Sequence, residues 1–192
     1  MPPGQKLKIK HGNNACRTGF VSIACLLLMS AISVNAAEQH EDSWVVNYQD
    51  EVSVIASVNG ILSYGDRLRL RLHKSDCSNA QLFTTFLTLA QGDDQLEDGF
   101  LISGVFLGQP AQFELLFTTP FFDRASLTWV DLGRGDVDAF NRALMGHKEI
   151  TISVADGEGY TSIEYFTDPQ NQWTTDGLSE AIAQAKEICS EL

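Results

Sequence analysis

The sequence is poor in the residues and motifs that build reactive centres. It has four histidines and four cysteines in 192 residues. No HxH, HxxxH or HExxH spacing joins the histidines, so we expect no metal site made from side chains alone. No GxSxG turn is present to carry a nucleophilic serine. Carboxylates are plentiful, but in a chain this acidic a pair of them does not indicate catalysis. We therefore predict no catalytic residues, no metal and no cofactor.

Charge is absent from a stretch near the start of the chain. Residues 1–19 contain four cationic residues and no acidic residue, and residues 20–34 contain no charge at all. Small residues follow, with Val34 and Ala36 at the −3 and −1 positions of a cleavage site. This order is typical of a secretory signal peptide. The apolar run is also shorter than the roughly 20 residues that a membrane span needs.

We therefore predict cleavage after Ala36, which removes residues 1–36 and leaves 37–192 as a single acidic, β-rich domain. The expected location is periplasmic or secreted, in a bacterium, with no stable membrane insertion after cleavage. Residues 1–36 hold four of the 13 Lys and Arg and none of the 25 Asp and Glu, so the formal charge changes from −12 to −16. Such a charge repels nucleic acid and anionic lipid and attracts a basic exported protein as partner. Colloidal solubility explains the same charge without a partner.

Only two cysteines, Cys77 and Cys189, remain after cleavage. An oxidising compartment favours a disulfide between them, and their number excludes a CxxC redox pair or a zinc cluster. They lie 112 positions apart, so in the chain-entropy model the bond is worth about 4–5 kcal/mol. It would hold the C-terminal segment against the early strands.

Most of the mature chain has the pattern of short strands separated by turn residues. The predicted strands are 44–48, 52–58, 67–73, 82–89, 100–107, 112–118 and 126–132. The segment 99–108 is apolar on both faces and predicts a central strand that is buried on both sides.

The last third of the chain changes in pattern. A short amphipathic helix is predicted over 136–145, then a strand over 148–155 and its hairpin partner over 161–166. Arg134-Gly135-Asp136 matches the integrin-binding tripeptide, but Asp136 is better placed to begin the short helix. A final helix is predicted from Thr175 or Asp176, either of which is a suitable N-cap. Its apolar stripe includes Cys189, which therefore faces the core.

These elements predict an α+β fold that is mainly β. We expect an antiparallel β-sandwich or a strongly curved sheet of about eight to ten strands. A short late helix and a C-terminal helix complete the predicted domain, and the Cys77–Cys189 bond ties the latter to the sheet.

An arginine row is the most unusual feature of the mature chain. Side chains alternate along a strand, so Arg67, Arg69 and Arg71 share one face, about 6–7 Å apart, with His73 beyond them. Like charges in a row are unfavourable unless anions lie opposite, and guanidinium groups suit carboxylates and phosphates. One interpretation is a binding site for an anionic ligand or an acidic partner segment. The other is a solvated sheet face neutralised by cross-strand carboxylates, with Glu114 and Glu164 as candidates.

The C-terminal third carries a resemblance to a known family. After a strand come DVDAFNRALMGHKEITISV, a hairpin strand and NQWTTDGLSEAIAQAKEIC. This order resembles the ending of exported bacterial proteins of the invasion-associated-locus-B type, over residues 125–190. The resemblance implies a β-sandwich-like domain closed by a short helix, a strand and a final helix. It implies no catalytic residues.

Three functions follow as hypotheses. The first is a non-enzymatic periplasmic binding or accessory protein, in its most concrete form an acidic inhibitor or immunity-type protein for a basic partner. The second is a carrier or sensor for a small anionic ligand, which uses the Arg67, Arg69 and Arg71 face. The third is a hydrolase directed at the cell wall.

Overall fold

Strands make up most of the part of the chain that the structure describes. The structure is a computed structural model, and it describes residues 43–63, 66–89, 97–122 and 125–192. The predicted export signal, residues 1–36, lies outside these ranges. In chain order the elements are β1 (Val45–Asp50), β2 (Ser53–Asn59), β3 (Arg67–His73), β4 (Asp76–Leu89), β5 (Leu101–Phe106), β6 (Gln109–Phe122), β7 (Ala125–Asp136), α1 (Val137–Met145), β8 (Glu149–Val154), α2 (Ser162–Tyr165), β9 (Gln170–Thr174) and α3 (Leu178–Glu191).

The nine strands of the described ranges join one antiparallel sheet in the order β1-β2-β3-β4-β7-β6-β5-β8-β9. The predicted α+β, mainly β class is confirmed, in its curved-sheet form. The sheet curls until its two ends meet. The Ile61 N–H, just after β2, donates to the Gln172 carbonyl in β9 at 2.8 Å. The Trp44 indole, just before β1, donates to the Thr174 carbonyl at 2.9 Å.

The inward face of the curled sheet forms the core. Strand alternation buries the three leucines of β3 completely, together with Phe86, Phe113 and Trp173. Each such side chain contributes about 1.5–3 kcal/mol by leaving water. Helix α3 lies against this core through a stripe that matches the predicted one: Leu178, Ala181, Ile182, Ala185 and Cys189.

The predicted disulfide is present. Cys77, at the start of β4, is bonded to Cys189 in the last turn of α3, with 5.8 Å between their Cα atoms. The short helix α1 also forms where it was predicted. The Asp136 side chain caps it by accepting a hydrogen bond from the Ala139 N–H at 2.7 Å. This cap is the role expected for Asp136 ahead of a helix.

Two predictions in the last third are wrong. Residues 161–166 do not return as a hairpin strand, since Ser162–Tyr165 is the short helix α2. The Asp156 carboxylate accepts hydrogen bonds from both the backbone N–H and the hydroxyl of Ser162, each at 2.8 Å, and so holds this segment as a local turn. The strand β9 (Gln170–Thr174), which forms in its place, was missed.

The final helix begins later than predicted. It starts at Leu178, after Gly177 with φ +80°. Thr175 does not cap it, because the Thr175 hydroxyl donates to the carbonyls of His147 and Lys148 at 3.2 and 3.0 Å. Glycine supplies the left-handed conformation that the chain needs at this corner.

The strand β5 is also less enclosed than predicted. It lies inside the sheet between β6 and β8, and Ile102 is fully buried. Its outward side chains are open, however, with Leu101 57% exposed and Val105 37% exposed. Burial on both faces requires a second layer, and none of the described elements covers this side.

Candidate functional site: an arginine and aromatic sheet face

The three predicted arginines lie in a row on the outward face of β3. The leucines between them point into the core, so the alternation predicted from the sequence is confirmed. Pairing with β2 and β4 along the strand fixes the row against both neighbours. Arg67 is exposed, while Arg69 and Arg71 are half-buried.

Neutral groups hold the first two arginines. The Nε atom of Arg67 donates to Asn59 Oδ1 at 2.7 Å. The Nη1 atom of Arg69 donates to the backbone carbonyl of Arg67 at 3.0 Å and to Thr85 Oγ1 at 3.3 Å. These contacts orient the guanidinium groups without cancelling their charge.

The third arginine reaches a carboxylate only through an amide. Arg71 donates from Nη2 to Gln81 Oε1, and Gln81 in turn donates from Nε2 to Asp131 Oδ2. Within the described ranges, the one ion pair joins Lys186 to Asp138 at 2.8 Å, between α3 and α1. The arginine row is therefore not neutralised by direct carboxylate contacts there.

The two carboxylates predicted as partners lie elsewhere. Glu114 is in β6, opposite Leu101 on one side and Asp131 on the other, and two strands separate β6 from β3. Glu164 is in the short helix α2 and in no strand. The Glu114 assignment is wrong because β4 pairs with β7 rather than with the strands that follow it in sequence, and the Glu164 assignment is wrong because its segment is helical.

Aromatic rings occupy the places where carboxylates were expected. The Cζ atom of Arg69 lies 4.7 Å from the centroid of the Trp129 ring, and that of Arg71 lies 5.8 Å from the centroid of Phe83. Such cation–π contacts stabilise a guanidinium without an anion. The three rings follow one another across β4, β7 and β6, at 5.8 Å from Phe83 to Trp129 and 5.2 Å from Trp129 to Phe117. We call this surface the arginine–aromatic face: Arg67, Arg69, Arg71, Phe83, Trp129 and Phe117.

The face remains cationic and partly open. Burial, reinforced by the charge of Arg67, lowers the pKa of Arg69 to about 10, so Arg69 stays protonated at neutral pH. Phe117 is 42% exposed at the far end of the ring series. A guanidinium stacked on a ring keeps its N–H groups in its own plane, where they can still donate to an anion.

A groove of about 370 Å³ opens at the end of the row nearest the β3–β4 turn. Arg71, His73 and Arg134 line it. Arg134 was not predicted as a site residue, because the predicted strand ended at residue 132 whereas β7 runs to Asp136. Only the pairing of β7 with β4, which sets Arg134 opposite Gln81, reveals its place beside the row.

Two further findings concern the described ranges. They contain no group of three or more His, Cys, Asp or Glu side chains placed to hold a metal ion. No helix among them has the length and apolar character needed to cross a membrane.

Fold and site together define a disulfide-bonded, mainly β protein with a cationic and aromatic outer sheet face. Comparison with protein-family models, with curated proteins and with solved structures finds no significant match to this chain. The resemblance of residues 125–190 to invasion-associated-locus-B proteins therefore stays a prediction.

Proposed function

We propose that this chain is an exported, non-enzymatic binding protein whose arginine–aromatic face takes a small anionic ligand. The observation that carries the proposal is the set of contacts made by the row. Amide, hydroxyl, backbone and aromatic groups hold Arg67, Arg69 and Arg71, and no carboxylate pairs with them directly within the described ranges. In a chain with a formal charge of −12, carboxylates are abundant, so their absence from the row favours a vacant anion site over a neutralised surface.

The rings indicate what kind of anion fits. Trp129 lies against Arg69 and Phe117 stacks on Trp129, and both rings are partly open, so they extend an apolar surface away from the cationic donors. A ligand with a flat apolar body and a carboxylate would bury its body on the rings and direct its charge to Arg67 and Arg69. Each contact alone is weak on an open surface, but together they select for both features.

Export is part of the same proposal. The disulfide between Cys77 and Cys189 suits an oxidising compartment. The charge pattern of residues 1–36 supports a cleaved signal and a periplasmic or secreted location.

Titration with defined anions tests the proposal. Benzoate and phthalate are added to the mature protein and compared with acetate, and both the melting temperature and tryptophan fluorescence are followed. We expect the two aromatic acids to raise the melting temperature and to change the emission of Trp129, because the other two tryptophans, Trp44 and Trp173, are buried. Acetate should do neither at equal concentration.

Variants test whether the arginine row causes the response to the aromatic acids. Replacing all three arginines (R67Q, R69Q and R71Q) should abolish the response to the aromatic acids. Arg142→Gln is the matched control, since it removes one exposed arginine from α1 and leaves the row intact. If no anion shifts the wild-type melting temperature, or if both proteins lose the response equally, the proposal is wrong.

A second candidate rests on a different observation. With one ion pair in the described ranges, most carboxylates there have no cationic partner, and this surplus suits an acidic inhibitor or immunity-type protein for a basic partner. Immobilised protein is exposed to periplasmic extract at low and at high salt. A basic protein retained only at low salt supports this candidate, and retention of no basic protein at low salt rejects it.

A further inference from the structure

We propose that the groove lined by Arg71, His73 and Arg134 binds a phosphate group. The inference deepens the proposed function and rests on it, since Arg71 belongs both to the arginine–aromatic face and to the groove. It adds a second subsite and a second chemical group: a tetrahedral oxyanion at the turn end of the row.

The sheet places two arginines so that they converge. Arg71 in β3 is paired with Gln81 in β4, and Gln81 is paired with Arg134 in β7. The three residues thus form one line across three strands and share the outward face. Neighbouring strands lie about 4.8 Å apart, so the two arginine Cα atoms are separated by about 10 Å. Side chains of this length can meet over the glutamine between them.

Two of the groove's donors have no partner in the described ranges. The Arg134 guanidinium makes no hydrogen bond or ion pair within the described ranges, in contrast with Arg67, Arg69 and Arg71. Ser53 lines the same groove, is only 4% exposed, and its hydroxyl likewise makes no hydrogen bond within those ranges. The Arg134 side chain is exposed and the Ser53 hydroxyl is not a fully buried atom, so both can donate to an oxyanion bound in the groove.

Hydrogen bonds to Ser75 orient the His73 ring so that it can offer a further donor to a ligand in the groove. The backbone N–H of Ser75 donates to His73 Nδ1 at 3.2 Å, and the Ser75 hydroxyl lies 2.7 Å from the same atom. Because Nδ1 accepts, the neutral ring carries its proton on Nε2, which is then the donor available to a ligand.

The number of donors favours a phosphate over a carboxylate. Two guanidinium groups, an imidazole and a serine hydroxyl come from β2, β3 and β7. A carboxylate has two oxygens in one plane, whereas a phosphate presents oxygens in several directions and carries more charge.

One acidic residue, Asp76, lines the groove as well. Its carboxylate is occupied, since it accepts from the Ser78 hydroxyl at 2.6 Å, the Ser78 N–H at 3.1 Å and the Asn79 amide at 2.8 Å. These hydrogen bonds lower the pKa of Asp76 and keep it charged. Asp76 therefore opposes an anion without blocking it, and its removal should tighten binding.

Calorimetric titration tests the inference with inorganic phosphate, glycerol phosphate and acetate. We expect saturable binding of phosphate and much weaker binding of acetate. Arg134→Gln should weaken phosphate binding about tenfold or more, since a hydrogen bond to a charged group contributes about 1.5–3 kcal/mol. Ser53→Ala should weaken it about threefold, Asp76→Asn should strengthen it, and Arg142→Gln should leave it unchanged. Tighter binding of glycerol phosphate than of phosphate would show that the group arrives as an ester.

The outcomes separate this inference from the proposed function. Arg67 belongs to the arginine–aromatic face but does not line the groove. Arg67→Gln should therefore reduce the response to benzoate and leave phosphate binding unchanged. Arg134→Gln should do the reverse. Phosphate binding without any benzoate response would reject the proposed function of the arginine–aromatic face and would still support the phosphate site in the groove. The absence of saturable phosphate binding, or an equal loss of phosphate affinity in R134Q and R142Q, would overturn the inference. This holds whether or not the protein responds to benzoate.

Discussion

The buried residue Asp66 links the β2–β3 connection to β9, where the two ends of the curled sheet meet. Asp66 is 2% exposed, and its Oδ2 accepts a hydrogen bond from Asn171 of β9 at 3.2 Å. Its backbone carbonyl accepts from Gly60 at 2.7 Å and from the Trp173 indole at 3.2 Å. Burial is the main cause that raises the pKa of Asp66 to about 7, and the Asn171 hydrogen bond offsets part of it.

This residue predicts a pH dependence of stability. The folded pKa lies above the unfolded value of 3.8, so the folded state holds the proton more tightly. The stability that this group contributes is present below about pH 4, falls as pH rises, and is fully lost once the pH has risen through about 7. Between pH 5 and pH 8 we expect a loss of roughly 2.5 kcal/mol from Asp66.

Asp66→Asn isolates that contribution. Urea unfolding at pH 5, 6, 7 and 8 should show the wild type losing more free energy of unfolding than the variant over this range. The variant should be the more stable protein at pH 8. Parallel curves for the two proteins would contradict the assignment.

A glycine in β5 sets a second prediction at this scale. A Cβ atom added at Gly104 would lie 2.3 Å from the Ser153 carbonyl oxygen and 2.6 Å from the Phe113 ring. The carbonyl belongs to the neighbouring strand and cannot move freely. Gly104→Ala should therefore lower the free energy of unfolding by about 2–3 kcal/mol, as overpacked sites do.

The matched control is Gly135→Ala in β7. The nearest atom to its added Cβ is 3.7 Å away, on Phe140, and this glycine is not among those with positive φ. Chemical denaturation of both variants should show a change for Gly135→Ala within about 0.5 kcal/mol of zero. Equal destabilisation of the two would indicate a general intolerance of side chains rather than the contact with Ser153.

At the scale of elements, α3 depends on one covalent bond. The helix contributes a short buried stripe, and Cys189 in its last turn is bonded to Cys77 at the start of β4. Replacing both cysteines by serine opens a loop of 112 positions. We expect the free energy of unfolding to fall by about 4–5 kcal/mol.

Urea melts with and without a reductant measure this loss. Adding the reductant should bring the wild type to the stability of the double variant and should not affect the double variant itself. A reductant effect of equal size on both proteins would contradict the prediction.

The predicted and observed elements differ where a structural feature depends on residues that are far apart in the sequence. The alternation in β3 and the stripe on α3 were predicted correctly. Each depends only on residues within one element and follows from strand and helix geometry. The strand β9 was not, since Gln-Asn-Gln-Trp-Thr has the composition of a loop. It becomes a strand by pairing with β8, and its Asn171 and Trp173 side chains also bind Asp66 in the β2–β3 connection, more than 100 positions earlier.

The same limit applies to the candidate site. The arginine row is local and was predicted, whereas Trp129, Phe117 and Arg134 join it through the strand order β3-β4-β7-β6. That order is set by packing between distant segments. Glu114 was wrong as a partner for this reason.

At the scale of the whole molecule, charge determines the last prediction. The formal charge is −12 for the full sequence and −16 without residues 1–36, while the described ranges contain a single ion pair. Repulsion among the carboxylates therefore outweighs attraction, and the folded state brings them closer than the unfolded chain does. Salt screens charges separated by more than about 10 Å at 0.1 M.

We expect the free energy of unfolding of a protein comprising residues 37–192 to rise by about 1 kcal/mol between 0.02 and 0.5 M NaCl. Urea melts at the two concentrations measure it, and an unchanged denaturant slope confirms that the same surface is exposed on unfolding. Because the predicted anion sites carry positive charge, the same salt should weaken binding of benzoate and phosphate. Stability and ligand binding should thus respond to salt in opposite directions. A fall of both would show that attractive pairs, not repulsion, dominate the acidic surface.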